Sequence, residues 1–293
     1  MTDPGAAPSP TPASSSGGAL KLIPVLVAAA AFAVIVVWFL REKEPESGIE
    51  IGYRMLAADA APVAPRVTEV LTKRLKELRA DPFYITIDRD LVVIKLPGAS
   101  KNRVEDVKRL LRTVGHLELR PVADRATQEK YRKDEVVPDG YQLVRSVDAR
   151  GGEYEAWQPW MLVQKKSVID GAHFVDAEPH QEMVPGGARW VTSFELDAEG
   201  AKRFDEAAEK LYNQRPPGLL AIMLDGELKS APAVQSPAFH GRGQISGAQD
   251  AQAAKDLAIV LRSGKLPVPL GGVEGGEKKP GVPQFERPFG PKK

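Results

Sequence analysis

The stretch Leu219 to Ser230, LLAIMLDGELKS, leaves little freedom to the chain. An apolar run reads as a buried strand, and Asp225-Gly226 then supplies the two residues that tolerate the positive φ angles of a type I′ turn. Glu227 to Ser230 therefore reads as the return strand of a two-residue hairpin, ended by Ala231-Pro232 because proline cannot donate to a ladder. The flanks agree with it. Upstream, Val191 to Leu196 alternates as a strand does, and Asp197 places a carboxylate where the free amides of a helix need a cap. The helix so begun at Ala198 carries Ala201, Phe204, Ala207, Ala208 and Leu211 on one face and is expected to end at Asn213, before Pro216 and Pro217. Downstream, a loop rich in glycine and proline leads to a short strand around Ile245. From Ala248 onward a second helix is expected, with its stripe at Ala251, Ala254, Leu257, Ala258 and Leu261 and its C-cap at Gly264. Strand, helix, hairpin and helix in this order predict an α+β fold.

The first half of the chain yields a second unit. Gly48 to Met55 alternates as a strand, and Pro65 opens a helix to Leu78 with Val67, Val70, Leu71 and Leu75 along one side. Phe83, Ile85 and Ile87 alternate again, Arg89-Asp90 turns the chain, and Leu91 to Leu96 returns it to a Pro97-Gly98 break. A helix from Asn102 to Thr113 and a strand from His116 to Pro121 complete a βαββαβ order, which predicts a ferredoxin-like sheet with both helices on one face.

These segments together resemble the large extracytoplasmic domain of SecD, the membrane-bound accessory subunit of the Sec protein-export machinery. The resemblance is carried by Asp225, Gly226, Ser230, Ala231 and Pro232, by Gln244-Ile245-Ser246-Gly247, and by Leu257, Ala258, Leu261, Arg262, Gly264, Leu266 and Pro267. LTKRLKELRADPFYITIDRDLVVIKLPG and TVGHLELRPV add to the likeness in the first half, and it is weakest in the middle. It implies a ferredoxin-like base of two discontinuous halves, 46–122 and 188–270, with a head inserted at 123–187. Gly226, Gly247, Gly264, Pro232 and Pro267 are turn and cap residue types, and Leu261 is a core type, so a structural role is expected for the motif positions. In the head, Trp157, Trp160 and Met161 are the candidates for partner contact, since aromatic anchors dominate many binding surfaces. Burial in the head's own core is the competing role for them.

Leu22 to Leu40 is a run of 19 uncharged residues, about 28 Å as a helix and enough to cross a bilayer. A transmembrane helix over 20–41 is expected, preceded by a disordered Pro/Ser/Ala/Gly tail at 1–19. Arg41 and Lys43 after the run outnumber Lys21 before it, which favours a cytoplasmic domain, whereas the resemblance implies an extracytoplasmic one on a bacterial inner membrane. Residues 271–293, rich in Gly and Pro and basic, are expected to be disordered. SecD proteins continue into further membrane helices, and no second apolar run occurs here. The resemblance therefore implies a single-pass relative without its own proton-conducting part, partnered by the Sec translocon or a SecF-like subunit and by unfolded preprotein. An envelope scaffold retaining the fold is the alternative.

A net charge of +1 gives no bulk attraction for nucleic acid, and the absence of cysteine removes thiolate chemistry and disulfides. His116, His173, His180 and His240, even with Asp170 and Asp176 nearby, match no metal-ligand spacing, and no nucleophile elbow or dinucleotide loop is present. Neither an enzyme activity nor a cofactor is predicted.

Overall fold

The computed structural model describes residues 47–145, 160–185 and 187–290. The expected tail at 1–19, the whole of the helix expected over 20–41 with its apolar run, and Trp157 lie outside the described residues. Among the described residues no helix is long and apolar enough to cross a membrane.

A six-stranded antiparallel sheet holds the two ends of the described chain. It comprises β1 (Gly48–Met55), β2 (Tyr84–Asp88), β3 (Leu91–Pro97), β13 (Leu270–Glu274), β14 (Glu277–Pro280) and β15 (Phe285–Phe289). Its order is β14-β13-β1-β3-β2, with β15 also paired to β1. Helix α1 (Ala64–Glu77) joins β1 to β2, and α2 (Lys101–Leu111) follows β3. Their apolar stripes pack with Ile51, Tyr53, Val92, Ile94 and Leu96 into one core. Alternation in the strands and three-and-four spacing in the helices put every one of these side chains on the shared side. Ser100 caps α2 by accepting a hydrogen bond from the Arg103 amide.

The strand β4 (Leu117–Pro121), expected to be the fourth of this sheet, leaves it. It pairs instead with β10 (Leu220–Leu224), in a second sheet of order β11-β10-β4-β7 that also contains β11 (Glu227–Ser230) and β7 (Ile169–Asp170). The place beside β1 is taken by β13, which enters some 150 residues later in the chain. The physical reason lies in the side chains. Leu117 and Leu119 bury against Phe194, Phe204, Leu220 and Ile222, so the strand's apolar side chains go with that core rather than with the one around β1.

A third sheet of order β12-β9-β8 consists of β8 (Phe174–Val184), β9 (Gly187–Leu196) and β12 (Arg242–Ala248). The helices α4 (Ala198–Tyr212) and α5 (Ala251–Ser263) pack on it, both capped by aspartates, Asp197 and Asp250. The second of these helices starts at Ala251 rather than Ala248, because β12 runs on to Ala248 and Asp250 provides the cap. The charged stretch 125–135, to which the sequence reading assigned no element, forms α3 (Arg125–Asp134), capped by Asp124. Beside it lies a two-stranded pair, β5 (Tyr141–Arg145) and β6 (Trp160–Gln164). The boundary expected at 187/188 falls at the tip of the β8–β9 hairpin. Its two strands share ten register pairs and one core, so they belong to one body.

The C-terminal segment expected to be disordered is ordered through residue 290. Leu270 to Pro280 folds as the β13–β14 hairpin, and β15 lies along Gly48 to Gly52 of β1. Glycine is required at those two positions by close approach. A Cβ on Gly52 would sit 2.3 Å from the Phe285 ring, and one on Gly48 2.8 Å from that of Phe289. The rings cover the backbone that the missing side chains leave open. Arg287 pairs with the buried Glu50, its guanidinium lies 4.5 Å from the Phe285 ring centroid, and Lys108 reaches Glu286 at 2.9 Å. Composition alone predicts disorder for such a segment; the two phenylalanines, four residues apart, are the signal that opposes it.

Candidate functional site

Where the second and third sheets meet, their inner faces part into a groove of about 660 Å³. Its floor is apolar: Leu119 and Ile222 from the second sheet, Phe194 from the third, and Phe204 from α4. The loop from Pro232 to Phe239 forms one wall. Phe174, Phe194, Phe204 and Phe239 make a chain of ring contacts, with centroids 5.1, 6.2 and 5.3 Å apart in succession. Phe239 is carried there by Asp205 of α4, whose Oδ1 accepts hydrogen bonds from the amides of Phe239 at 2.7 Å and His240 at 3.1 Å. The same loop is tied back to β10, since Leu220 N donates to Pro232 O and Val234 N to Gly218 O.

The rim is polar. Glu182 is bound by Arg189 at 2.7 Å and by the Gln244 amide at 3.3 Å, which together hold its carboxyl below the usual carboxylate range. Arg242, also at the rim, pairs with Glu195. An apolar floor with a few polar groups at its edge is the arrangement that takes up an aliphatic or aromatic segment while leaving its backbone near water. Among the described residues no group of three or more His, Asp or Glu side chains is placed to hold a metal ion.

The residues singled out in the sequence fall in three places. Trp160 opens β6 and is 48% exposed, while Met161 beside it is half-buried against the small cluster of Val122, Val144 and Val163. Met161 faces a second depression of about 490 Å³, between the start of α3 and Gln214 to Leu219. Neither side chain lines the groove.

The motif residues occupy turns and junctions. Asp225 and Gly226 form the expected hairpin turn, with φ of 52° and 85°. The Asp225 carboxylate accepts hydrogen bonds from the amides of Gly115 at 2.9 Å and His116 at 2.7 Å, fastening the turn to the start of β4. Ala231 and Pro232 carry the chain out of β11 into the groove wall. Ser230 has a buried Oγ with no hydrogen-bond partner among the described residues. Gly247, at φ 96°, lies in the register shift of β12. Leu261 is buried with Phe174 and Phe194. Arg262 crosses from α5 to Glu77 of α1 at 2.7 Å and to the Ala177 carbonyl of β8. Gly264 ends α5 at φ 82°, and Pro267 follows the fully buried Leu266.

One residue that the sequence reading placed on no face binds these junctions together. Arg74 of α1 is fully buried. Its guanidinium donates to the carbonyls of Leu110, Thr113, Val114 and Gly264, and to Ser263 Oγ. Burial pushes its pKa down to about 10, against a smaller upward pull from Asp225. A charged residue at the buried stripe of α1 was the available signal. Phe239, the other omission, was hidden because it stands alone in a loop of glycine and proline.

Comparison with known proteins gives this arrangement its relatives. Residues 145–268 match the family model described as "SecDF, P1 head subdomain". Over 203 residues, or 69% of the chain, it is 32% identical to the protein translocase subunit SecD of Aquifex aeolicus, covering 37% of that protein. Over 229 residues, or 75% of the chain, it is 31% identical to the SecD subunit of Acetobacter pasteurianus, covering 40% of it. The chain is SecD-like. It spans about two fifths of the length of these curated relatives. A crystal structure of SecDF in its super-membrane-facing form shares the fold over 90% of this chain and 34% of its own, with a TM-score of 0.60 at 22% identity. A second SecDF structure, described as that of a membrane component that enhances protein export, covers 75% of this chain and 96% of its own at a TM-score of 0.54 and 24% identity. The head match contains the whole of the third sheet, both α4 and α5, and most of the groove lining.

Proposed function

We propose that this SecD-like chain is an accessory factor of Sec-dependent export that holds apolar stretches of a translocating preprotein, on the extracytoplasmic side of a bacterial inner membrane. The observation that carries the proposal is the phenylalanine-floored groove between the second and third sheets. An exported chain emerges extended and unfolded, with aliphatic and aromatic side chains that have lost a core. A groove that buries a few of them at a time slows backsliding without breaking or making a bond. Trp160 and Met161, with Trp157, stand as a second contact surface, for the preprotein or for the translocon.

The domain around the groove divides into two parts in this proposal. β1, α1, β2, β3, α2 and β13 form a ferredoxin-like base, with β13 as its fourth strand, and the chain between α2 and β13 contributes the head. The residues 22–40 serve as the bilayer anchor, and a SecF-like subunit is the expected membrane partner.

The test is site-specific photocrosslinking in membranes carrying a secretory precursor arrested in transit. Photoreactive residues at Gln235, Phe239 and Gln244 along the groove, and at Trp160, are compared with one at the exposed Lys130 of α3. Adducts with the precursor at the groove positions, absent at Lys130, are expected. Crosslinking at groove positions no stronger than at Lys130 refutes the groove. Unchanged export kinetics after deletion of the gene favours the envelope scaffold instead.

A further inference from the structure

A third concavity, of about 420 Å³, lies away from the groove, between α1, the end of α5 and the turn 170–172 that precedes β8. Its ionisable lining is unbalanced. Arg66, Lys73, Arg262 and Lys265 face it, with His116, against a single carboxylate, Asp170. That carboxylate is already occupied in accepting a hydrogen bond from the Ala172 amide at 2.9 Å. Glu69 lies on the same helix as Arg66 and Lys73 and bridges them at 2.6 and 3.1 Å, so one acid serves two cations. Lys265 has no ion-pair partner among the described residues. Arg262 donates both terminal nitrogens, to Ala177 O and Glu77, yet keeps a buried Nε without a partner among the described residues.

Two features make this more than a solvated face. Arg66 stands in the first turn of α1, where no acidic residue is present and where the helix dipole disfavours a cation. The one carboxylate it pairs with among the described residues, Glu69, is shared with Lys73. In addition, these cations come from sequence positions 66, 73, 262 and 265, so the fold gathers them from two distant segments.

We infer that this cleft takes up a phosphate group. Phosphate presents several acceptor oxygens in a compact shape, which fits a bowl of donors from different directions better than it fits a flat basic patch. The inference is independent of the proposed preprotein groove, which shares no lining residue with the cleft.

The experiment uses the full chain in an uncharged detergent at low ionic strength. Inorganic phosphate is titrated in while the backbone amide resonances of Gly171, Gly264 and Lys265 are followed, with sodium chloride at matched ionic strength as the control. Saturable shifts confined to these amides are expected, and Lys73→Gln/Lys265→Gln is expected to weaken the apparent affinity about tenfold or more, since two charges near the anion are removed. Both lysines are at the surface, so the variant keeps its thermal unfolding midpoint. A parallel titration with dihexanoyl phosphatidylglycerol, below its micelle concentration, identifies the source. Half-saturation at a much lower concentration than with phosphate assigns the site to a lipid headgroup, and equal or weaker binding assigns it to free phosphate. Shifts that sodium chloride reproduces, or an affinity the double variant leaves unchanged, overturn the inference.

Discussion

Replacing Arg74 by methionine is expected to destabilise the domain by about 4 kcal/mol. The guanidinium makes five hydrogen bonds, and bonds from a charged donor are worth about 1.5 to 3 kcal/mol each, a gross contribution of roughly 7 kcal/mol at the lower bound. Against this stands the cost of holding a charge out of water. The fall in pKa from 12.5 to about 10 corresponds to about 3 kcal/mol at 1.36 kcal/mol per unit. The difference is about 4 kcal/mol, and the carbonyls left behind lose their only charged donor. Methionine fills much of the volume, so the loss reports the polar contacts rather than a cavity. The assay is urea unfolding of wild type and Arg74→Met followed by circular dichroism, with the two slopes compared before the midpoints are. An equal slope with a shifted midpoint is the expected form. A loss below about 1 kcal/mol, the size of a single ordinary hydrogen bond, refutes the reasoning, because the carbonyls at the ends of α2 and α5 must then find other donors without cost.

Other consequences are open to equally direct measurement. Removing residues 285–293 strips β15 from β1 and uncovers Gly48 and Gly52, so hydrogen exchange of the β1 amides is expected to rise sharply while that of β10 stays unchanged. Asp225→Ala removes the acceptor of two amide hydrogen bonds and leaves alanine at φ 52°; a loss of about 2 kcal/mol in denaturant unfolding is expected, and Asp225→Asn is expected to lose less because asparagine tolerates this φ. The Asp197 carboxyl is held below the usual range, first by the Gly200 amide and then by His173. Its folded pKa is thus the lower one, so its stabilising effect is complete above the unfolded-state value of about 3.9 and fades as pH falls through the folded value. Thermal midpoints of Asp197→Asn and wild type are therefore expected to differ at pH 6 and to converge toward pH 2.

The sequence by itself determined the local elements wherever a signal acts over a few residues. Asp197 before Ala198 and Gly264 after Ser263 mark helix ends, because a cap must lie within three or four residues of the amides or carbonyls it satisfies. The Asp225-Gly226 turn was legible for the same reason, since its φ angles are a property of those two residues. Which strands lie side by side was not. β4 reads as well beside β1 as beside β10, and only the competing burial of Leu117 and Leu119 against the phenylalanines of the head decides between them. β15 has the composition of a tail, and becomes a strand because two of its rings meet two glycines more than 230 positions earlier. The groove arises in the same way, as a space between sheets that no single segment encloses. Caps and turns are free-energy choices made within one turn of chain, whereas sheet partners and clefts depend on which distant apolar surfaces meet, and that is settled only when the whole chain has collapsed.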